Sequence, residues 1–145
     1  MNSFMQVAYN EAKKAAKHGD VPVGCVIVKN NKIIAKAHNK KEQKQNSLCH
    51  AEIIAINKAT KKVKNFRLEN CEMYVTLEPC IMCAGAILSA RINKVFVGAL
   101  DTRFGAGKML TDNNFNHKCE IKVLENCECC SEIISEFFKT LRNKK

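Results

Sequence analysis

The chain has 145 residues, 46% of them apolar, and a formal charge of +10. That suits one ordinary domain with a core of its own, and no run approaches the roughly 18 consecutive apolar residues of a membrane span. Residues 1–6 lack a basic region leading into an apolar stretch, which argues against a signal peptide. Nine cysteines without such a signal read as thiols of a soluble cytoplasmic protein, not as a disulfide framework. The positive charge points to a polyanionic partner, because lysine and arginine gain affinity by releasing counterions from phosphates. Lysine outnumbers arginine 20 to 4, so compositional bias explains the charge about as well.

In chain order, Ser3 and Gln6 have the spacing of a capping box, and Phe4, Val7, Ala8, Ala12 and Ala15 recur at helical spacing. This predicts a helix over 3–18. Residues 23–29 are β-branched and apolar, Asn30-Asn31 suits a tight turn, and 32–37 alternate loosely, which together predict a hairpin. Residues 40–47 are polar and aperiodic and read as loop. From His50 onward, Ile53, Ile54, Ile56 and Ala59 predict a second helix. Residues 73–77 form a third strand. Pro79 suits the first turn of a third helix ending near Ala90, since its missing N–H would be unpaired there anyway. A fourth strand follows at 94–98, a loop at 101–108, and a short fifth strand at 120–124. The closing helix, 127–142, should turn Ile133, Ile134, Phe137, Phe138 and Leu141 inward. Strands alternating with helices predict an α/β layered domain, one sheet with helices on both faces. No linker or repeat divides the chain, so one domain is expected over 1–145.

Two short stretches carry the chemistry. His50-Ala51-Glu52 and Pro79-Cys80-Ile81-Met82-Cys83 offer one imidazole and two thiolates to a zinc ion, and a catalytic zinc keeps three protein ligands and an open fourth position. Cys80 and Cys83, three apart, are neighbours on a helix face, and helix N-termini favour anionic thiolates. His50 and Glu52 reach one site together if His50 sits at the helix entry, where the backbone is not yet regular. Water on such a zinc is shifted toward a pKa of roughly 7, a hydroxide nucleophile at neutral pH. Glu52, too near His50 to be a comfortable fourth ligand, is free to shuttle protons to a ring nitrogen and a leaving amine. His-x-Glu followed by Pro-Cys-x-x-Cys is the signature of zinc deaminases that act on nucleobases. A redox cysteine pair would leave His50 and Glu52 unexplained. A structural zinc would need a fourth protein ligand, for which the adjacent Cys49 is the candidate. Cys25 and Cys71 lie in strand-like runs and read as small buried hydrophobes. Cys127, Cys129 and Cys130 could suggest a second metal with Cys119, but a helical reading scatters them.

Beyond these motifs, Val21-Pro22-Val23-Gly24, His50-Ala51-Glu52-Ile53 and Tyr74-Val75-Thr76-Leu77-Glu78-Pro79-Cys80-Ile81-Met82-Cys83-Ala84-Gly85-Ala86 closely resemble the bacterial tRNA-specific adenosine deaminases of the cytidine-deaminase-like superfamily. The likeness continues through Arg91-Ile92, Val97-Gly98-Ala99, Gly105-Ala106-Gly107, Asn116-His117 and Phe137-Phe138, nearly the whole chain. It implies a three-layer cytidine-deaminase-like fold around a mixed sheet of about five strands. It also implies a cytoplasmic homodimer that hydrolyses the wobble adenosine of a tRNA anticodon loop to inosine. The resemblance makes His50, Cys80 and Cys83 the ligands of one zinc per subunit and Glu52 the proton shuttle. It gives Asn39 a hydrogen bond to the purine, Val21 and Pro22 the pocket wall, and Asp101 a neighbouring nucleotide. Phe104 is either a stacking face for an anticodon base or core packing. Lys139, Arg142, Lys144 and Lys145 are candidates for phosphate contacts from the terminal helix. The chain departs from the family at Asn46-Ser47-Leu48-Cys49, where relatives often carry Asp-Pro-Thr-Ala, and at Leu100, where they often carry Arg. The alternatives are a free nucleobase or nucleoside deaminase (guanine or cytosine) and, from another class, a non-catalytic RNA-binding protein with structural zinc. An intact Glu52 argues against the second.

Overall fold

Asn2 starts the first helix, α1 (Ser3–Lys17): its side-chain oxygen accepts from the N–H groups of Phe4 (2.8 Å) and Met5 (3.1 Å). The expected Ser3–Gln6 capping box is corrected to an Asn2 cap, because Asn at this position reaches the second and third free N–H groups of the helix. The computed structural model describes residues 1–112, 115 and 117–144. Asn116 and Lys145, both named above, lie outside the described residues.

The hairpin joins β1 (Gly24–Lys29) to β2 (Lys32–His38), and Asn30 (φ 50°) and Asn31 (φ 63°) both take the left-handed conformation of a two-residue turn. A bulge in β2 leaves Ile34 as the extra residue, since Ile27 pairs with Ala35 and Val28 with Ile33. Residues 40–47 are not all loop. They contain a short helix, α2 (Lys41–Lys44), whose free N–H groups at Glu42 (2.6 Å) and Gln43 (3.2 Å) are taken up by the buried Asp20 carboxylate. Polarity alone could not announce a cap arriving from so far away in the chain.

There follow α3 (Ala51–Val63), β3 (Cys71–Val75), α4 (Ile81–Ser89), β4 (Lys94–Val97), a 3-10 helix (Gly107–Thr111), β5 (Glu120–Val123) and α5 (Glu128–Asn143). The 3-10 helix replaces the tail of the loop expected over 101–108. The strands form one sheet in the order β2-β1-β3-β4-β5. It is antiparallel on the hairpin side and parallel from β3 to β5, so the sheet is mixed. Side chains alternate across it. Cys25, Ile27, Met73 and Val75 pack with α3 and α4, while Val26, Val28 and Tyr74 pack with Met5 and Ala8 of α1 and Cys127 and Cys130 of α5. Both faces are thus covered, which is why β1 is buried along nearly its whole length. The result is the expected three-layer, cytidine-deaminase-like arrangement. Cys25 and Cys71 are fully buried, as small hydrophobes.

At Gly24 the sheet touches α1 backbone to backbone: a Cβ there would fall on the Ala8 carbonyl oxygen and come within 2.6 Å of the Ala12 nitrogen. The closing helix differs from expectation. Cys130 is the buried residue of α5, whereas Phe138 and Leu141 are exposed and Ile133, Ile134 and Phe137 only half-buried. The helix is anchored at its start by Cys127 and Cys130 and leaves most of its apolar stripe only partly covered. Among the described residues, no helix is long and apolar enough to cross a membrane.

Candidate active site

The ends of four strands converge on one edge of the sheet: the start of β1, and the ends of β2, β3 and β4. Ligand sites of open α/β sheets form beyond the carboxyl ends of parallel strands. Here β3 and β4 run parallel, and their exits lead to Cys80 and Asp101. Two helices begin at the same place. His50 is the N-cap of α3 (φ −75°, ψ 151°) and Cys80 the N-cap of α4 (φ −74°, ψ 177°), both in extended backbone. Neither side chain folds back to cap its own helix, so both are free to face the site. Pro79 lies just before the N-cap and outside the first turn, a correction to the sequence reading. Its carbonyl accepts from Ala106 N–H (2.8 Å).

His50 Nδ1 lies 3.7 Å from Cys80 Sγ and 3.6 Å from Cys83 Sγ. A tetrahedral zinc with bonds of about 2.3 Å to sulfur and about 2.1 Å to nitrogen has an S···N edge of about 3.6 Å, so this triangle has the size of such an ion's ligand face. Among the described residues it is the one cluster of three or more His, Cys, Asp or Glu side chains compact enough to hold a metal. Cys49 is not in it, nor are Cys119, Cys127, Cys129 and Cys130, and neither is Glu52. Three ligands with no fourth protein donor is the composition of a catalytic zinc, not a structural one.

Hydrogen bonds to Cys83 and His50 hold the Cys80 thiol down to about 3, against a desolvation that opposes it. Cys83 moves the other way, pushed up by its bond to Cys80 and by burial. His50 is raised by its bond to Cys80. The three ligand atoms thus compete for protons, which a bound cation would displace. Glu52, 4% exposed, sits in the first turn of α3, and burial raises its carboxyl to about 7. A buried carboxyl that exchanges its proton near neutrality is suited to general acid–base work.

Above this floor opens a cavity of about 630 Å³ reached by His50, Glu52 and Cys80. Val21 and Asn39 form part of its wall. Pro22 is buried and does not line it, which corrects its expected place in the pocket wall. Asn39 is nearly buried. Its Nδ2 donates to the Val21 carbonyl (3.3 Å) and its Oδ1 accepts from Lys41 N–H (3.2 Å), which fixes the amide against the wall. Asp101 lines the cavity with its Oδ1 accepting from the N–H groups of Arg103 (3.1 Å) and Phe104 (3.2 Å), so it shapes its own turn. Phe104 is rim and not core: it is 66% exposed, with the Arg103 guanidinium 5.2 Å from its ring centre. Leu100, Phe138 and Lys41 complete the mouth; Phe138 was expected to turn inward from the closing helix, and Lys41 lay in a segment read only as polar loop. On α5, Ser131, Ser135 and Phe138 face the cavity; Lys139 and Arg142 follow Ser135 and Phe138 by four residues and share that side. Both are exposed, as is Lys144.

This sheet, with two helix starts presenting two cysteines, a histidine and a buried glutamate, defines a deaminase of the hydrolase class. The chain matches the MafB19-like deaminase family over residues 1–142. It is 46% identical to a tRNA-specific adenosine deaminase of Bacillus subtilis, over 98% of this chain and 91% of that one. A solved structure from biochemical and structural studies of A-to-I editing by tRNA:A34 deaminases at the wobble position of transfer RNA superposes with a TM-score of 0.86 at 34% identity, covering 90% of this chain and 97% of that one. A guanine deaminase from Bacillus subtilis superposes with a TM-score of 0.66 at 30% identity, covering 99% and 95%. The chain belongs to the MafB19-like deaminase family and to the family of the tRNA-specific adenosine deaminases.

Proposed function

We propose that this protein hydrolyses the wobble adenosine of a tRNA anticodon loop to inosine, releasing ammonia, and that residues 1–145 act as one catalytic domain. The observation that carries the reading is the cavity itself. Its floor joins the His50–Cys80–Cys83 triangle to the buried Glu52, and its mouth is aromatic and basic, with Phe104, Phe138, Arg103 and Lys41. A base must leave its stack before such a floor can reach it, and aromatic faces beside cationic groups receive unstacked single strands.

His50, Cys80 and Cys83 would hold one zinc ion per subunit. Bound there, zinc supplies Lewis acidity and a nucleophile at neutral pH. Glu52 moves protons to a ring nitrogen and to the leaving amine. Asn39 offers the purine an amide whose orientation is already set by Val21 and Lys41. Asp101 holds the turn beside the neighbouring nucleotide, and Lys139, Arg142 and Lys144 approach phosphates from the end of α5, with Lys145 a further candidate by sequence. In this reading the protein works in the cytoplasm as a homodimer.

The second reading is deamination of free guanine, favoured by the likeness to the Bacillus subtilis guanine deaminase at 30% identity. One experiment separates the two. The zinc-loaded protein is given an arginine tRNA with adenosine at the wobble position and, separately, adenosine, guanine and cytosine. Inosine confined to the wobble position is expected, and turnover of a free base alone would reverse the assignment. Sedimentation of the same sample reads the oligomeric state.

A further inference from the structure

Glu78 lies between the two halves of the site. It immediately precedes Pro79-Cys80, yet both of its carboxylate oxygens face the loop that follows β4. Oε1 accepts from Asp101 N–H (3.0 Å) and Oε2 from Gly107 N–H (2.9 Å). Backbone bonds run alongside: Glu78 N–H donates to the Ala99 carbonyl (2.8 Å) and Ala106 N–H to the Pro79 carbonyl (2.8 Å). The loop is cut to fit the carboxylate. A Cβ at Gly105 would overlap the Glu78 carboxyl group and the Asp101 carbonyl, and one at Gly107 would come 2.7 Å from Ile121 Cδ1 and 2.9 Å from Glu78 Oε2. Asp101, held by Glu78, in turn holds Arg103 and Phe104 through its own Oδ1. The side-chain support of the rim from Leu100 to Phe104 therefore traces back to one carboxylate, which makes no hydrogen bond to His50, Cys80 or Cys83.

We propose that Glu78 is the positioning residue of the substrate rim: its carboxylate clamps the 101–107 loop to the turn that carries Cys80, so that rim and floor keep one spacing. What the rim receives rests on the deaminase reading above, but the clamp does not. A carboxylate is needed because two N–H groups converge on two oxygens. A glutamine supplies one acceptor and turns an NH2 toward the other N–H, leaving it unpaired.

The test compares Glu78→Gln with the wild-type zinc-loaded protein in three measurements: zinc content with thermal midpoint, hydrogen exchange at the Asp101 and Gly107 amides, and steady-state kinetics on an anticodon stem-loop. The expected result is wild-type zinc and midpoint, faster exchange at both amides, and KM raised about tenfold with kcat within about threefold. Unchanged exchange, or unchanged KM, overturns the proposal. If Glu78→Gln does not fold, Gly105→Ala replaces it, since it displaces the loop from an intact Glu78. The same exchange and KM changes support the clamp, and wild-type values overturn it. If the wild-type protein makes no inosine, the functional reading fails by itself. The exchange measurement still stands, and KM is then read on whichever base the enzyme does deaminate.

Discussion

Glu52 and Cys83 are both buried at the same floor, yet their removal should have opposite signatures. Glu52→Ala leaves the ligand triangle intact, so zinc content measured by metal analysis should match the wild type while turnover falls by about 10² or more. Appreciable residual activity would remove Glu52 from the mechanism. Cys83→Ala takes away one corner of the triangle, so the purified variant should carry little zinc, and stoichiometric metal would show that the ligand set is wrong. These residues were legible in the sequence because the chemistry demands their types at their spacing. Glu78 and Asp20 were not. Their partners are backbone N–H groups 22 to 29 positions away, and a backbone N–H leaves no mark in residue type. Pro22 failed for a related reason: next to a wall residue in the chain, it points into protein.

The elements that set the site in place are held by equally specific contacts. Gly24 lets α1 lie directly on β1, so Gly24→Ala should lower stability by about 3 kcal/mol, because backbone atoms cannot step aside as side chains do. A denaturant midpoint equal to the wild type would contradict that close approach. Glu11 ties α1 to β2, with Lys14 Nζ at 2.6 Å and His38 Nδ1 at 3.0 Å. Burial alone would raise its carboxyl, but the bonds to Lys14 and His38 outweigh it and the group ends below its ordinary value of 4.5. The native state therefore binds the proton less readily than the unfolded chain. The contribution is complete above the ordinary value and is lost as pH falls through the lowered one. Glu11→Gln should be less stable at neutral pH and lose less on acidification, which denaturant midpoints at about pH 7 and about pH 3.5 would register. Strand and helix identities were readable because β1 is a short, unbroken β-branched apolar run and apolar residues recur helically along α3. The inward face of α5 was misread because periodicity reports that a stripe exists, and not how much of it the rest of the chain covers.

Across the whole molecule, the charge of +10 takes on meaning only through position. Lys139 and Arg142 stand on the side of α5 that borders the cavity mouth. Reversing both charges should weaken tRNA binding and reduce the slope of log affinity against log salt by about two, and an unchanged slope would make them merely solvated.

The hairpin has a practical consequence. Its open end, where Gly24 pairs with His38, adjoins the wall residues Val23 and Asn39, while its Asn30-Asn31 turn closes the other end of the pair. Six strand residues at about 3.3 Å each place that turn about 20 Å from the chemistry. It is an exposed tip whose backbone already follows the path of a two-residue connection. A dye, an affinity tag or a fused protein inserted between Asn30 and Asn31 would hang from the far side of the molecule, leaving the anticodon's approach unobstructed.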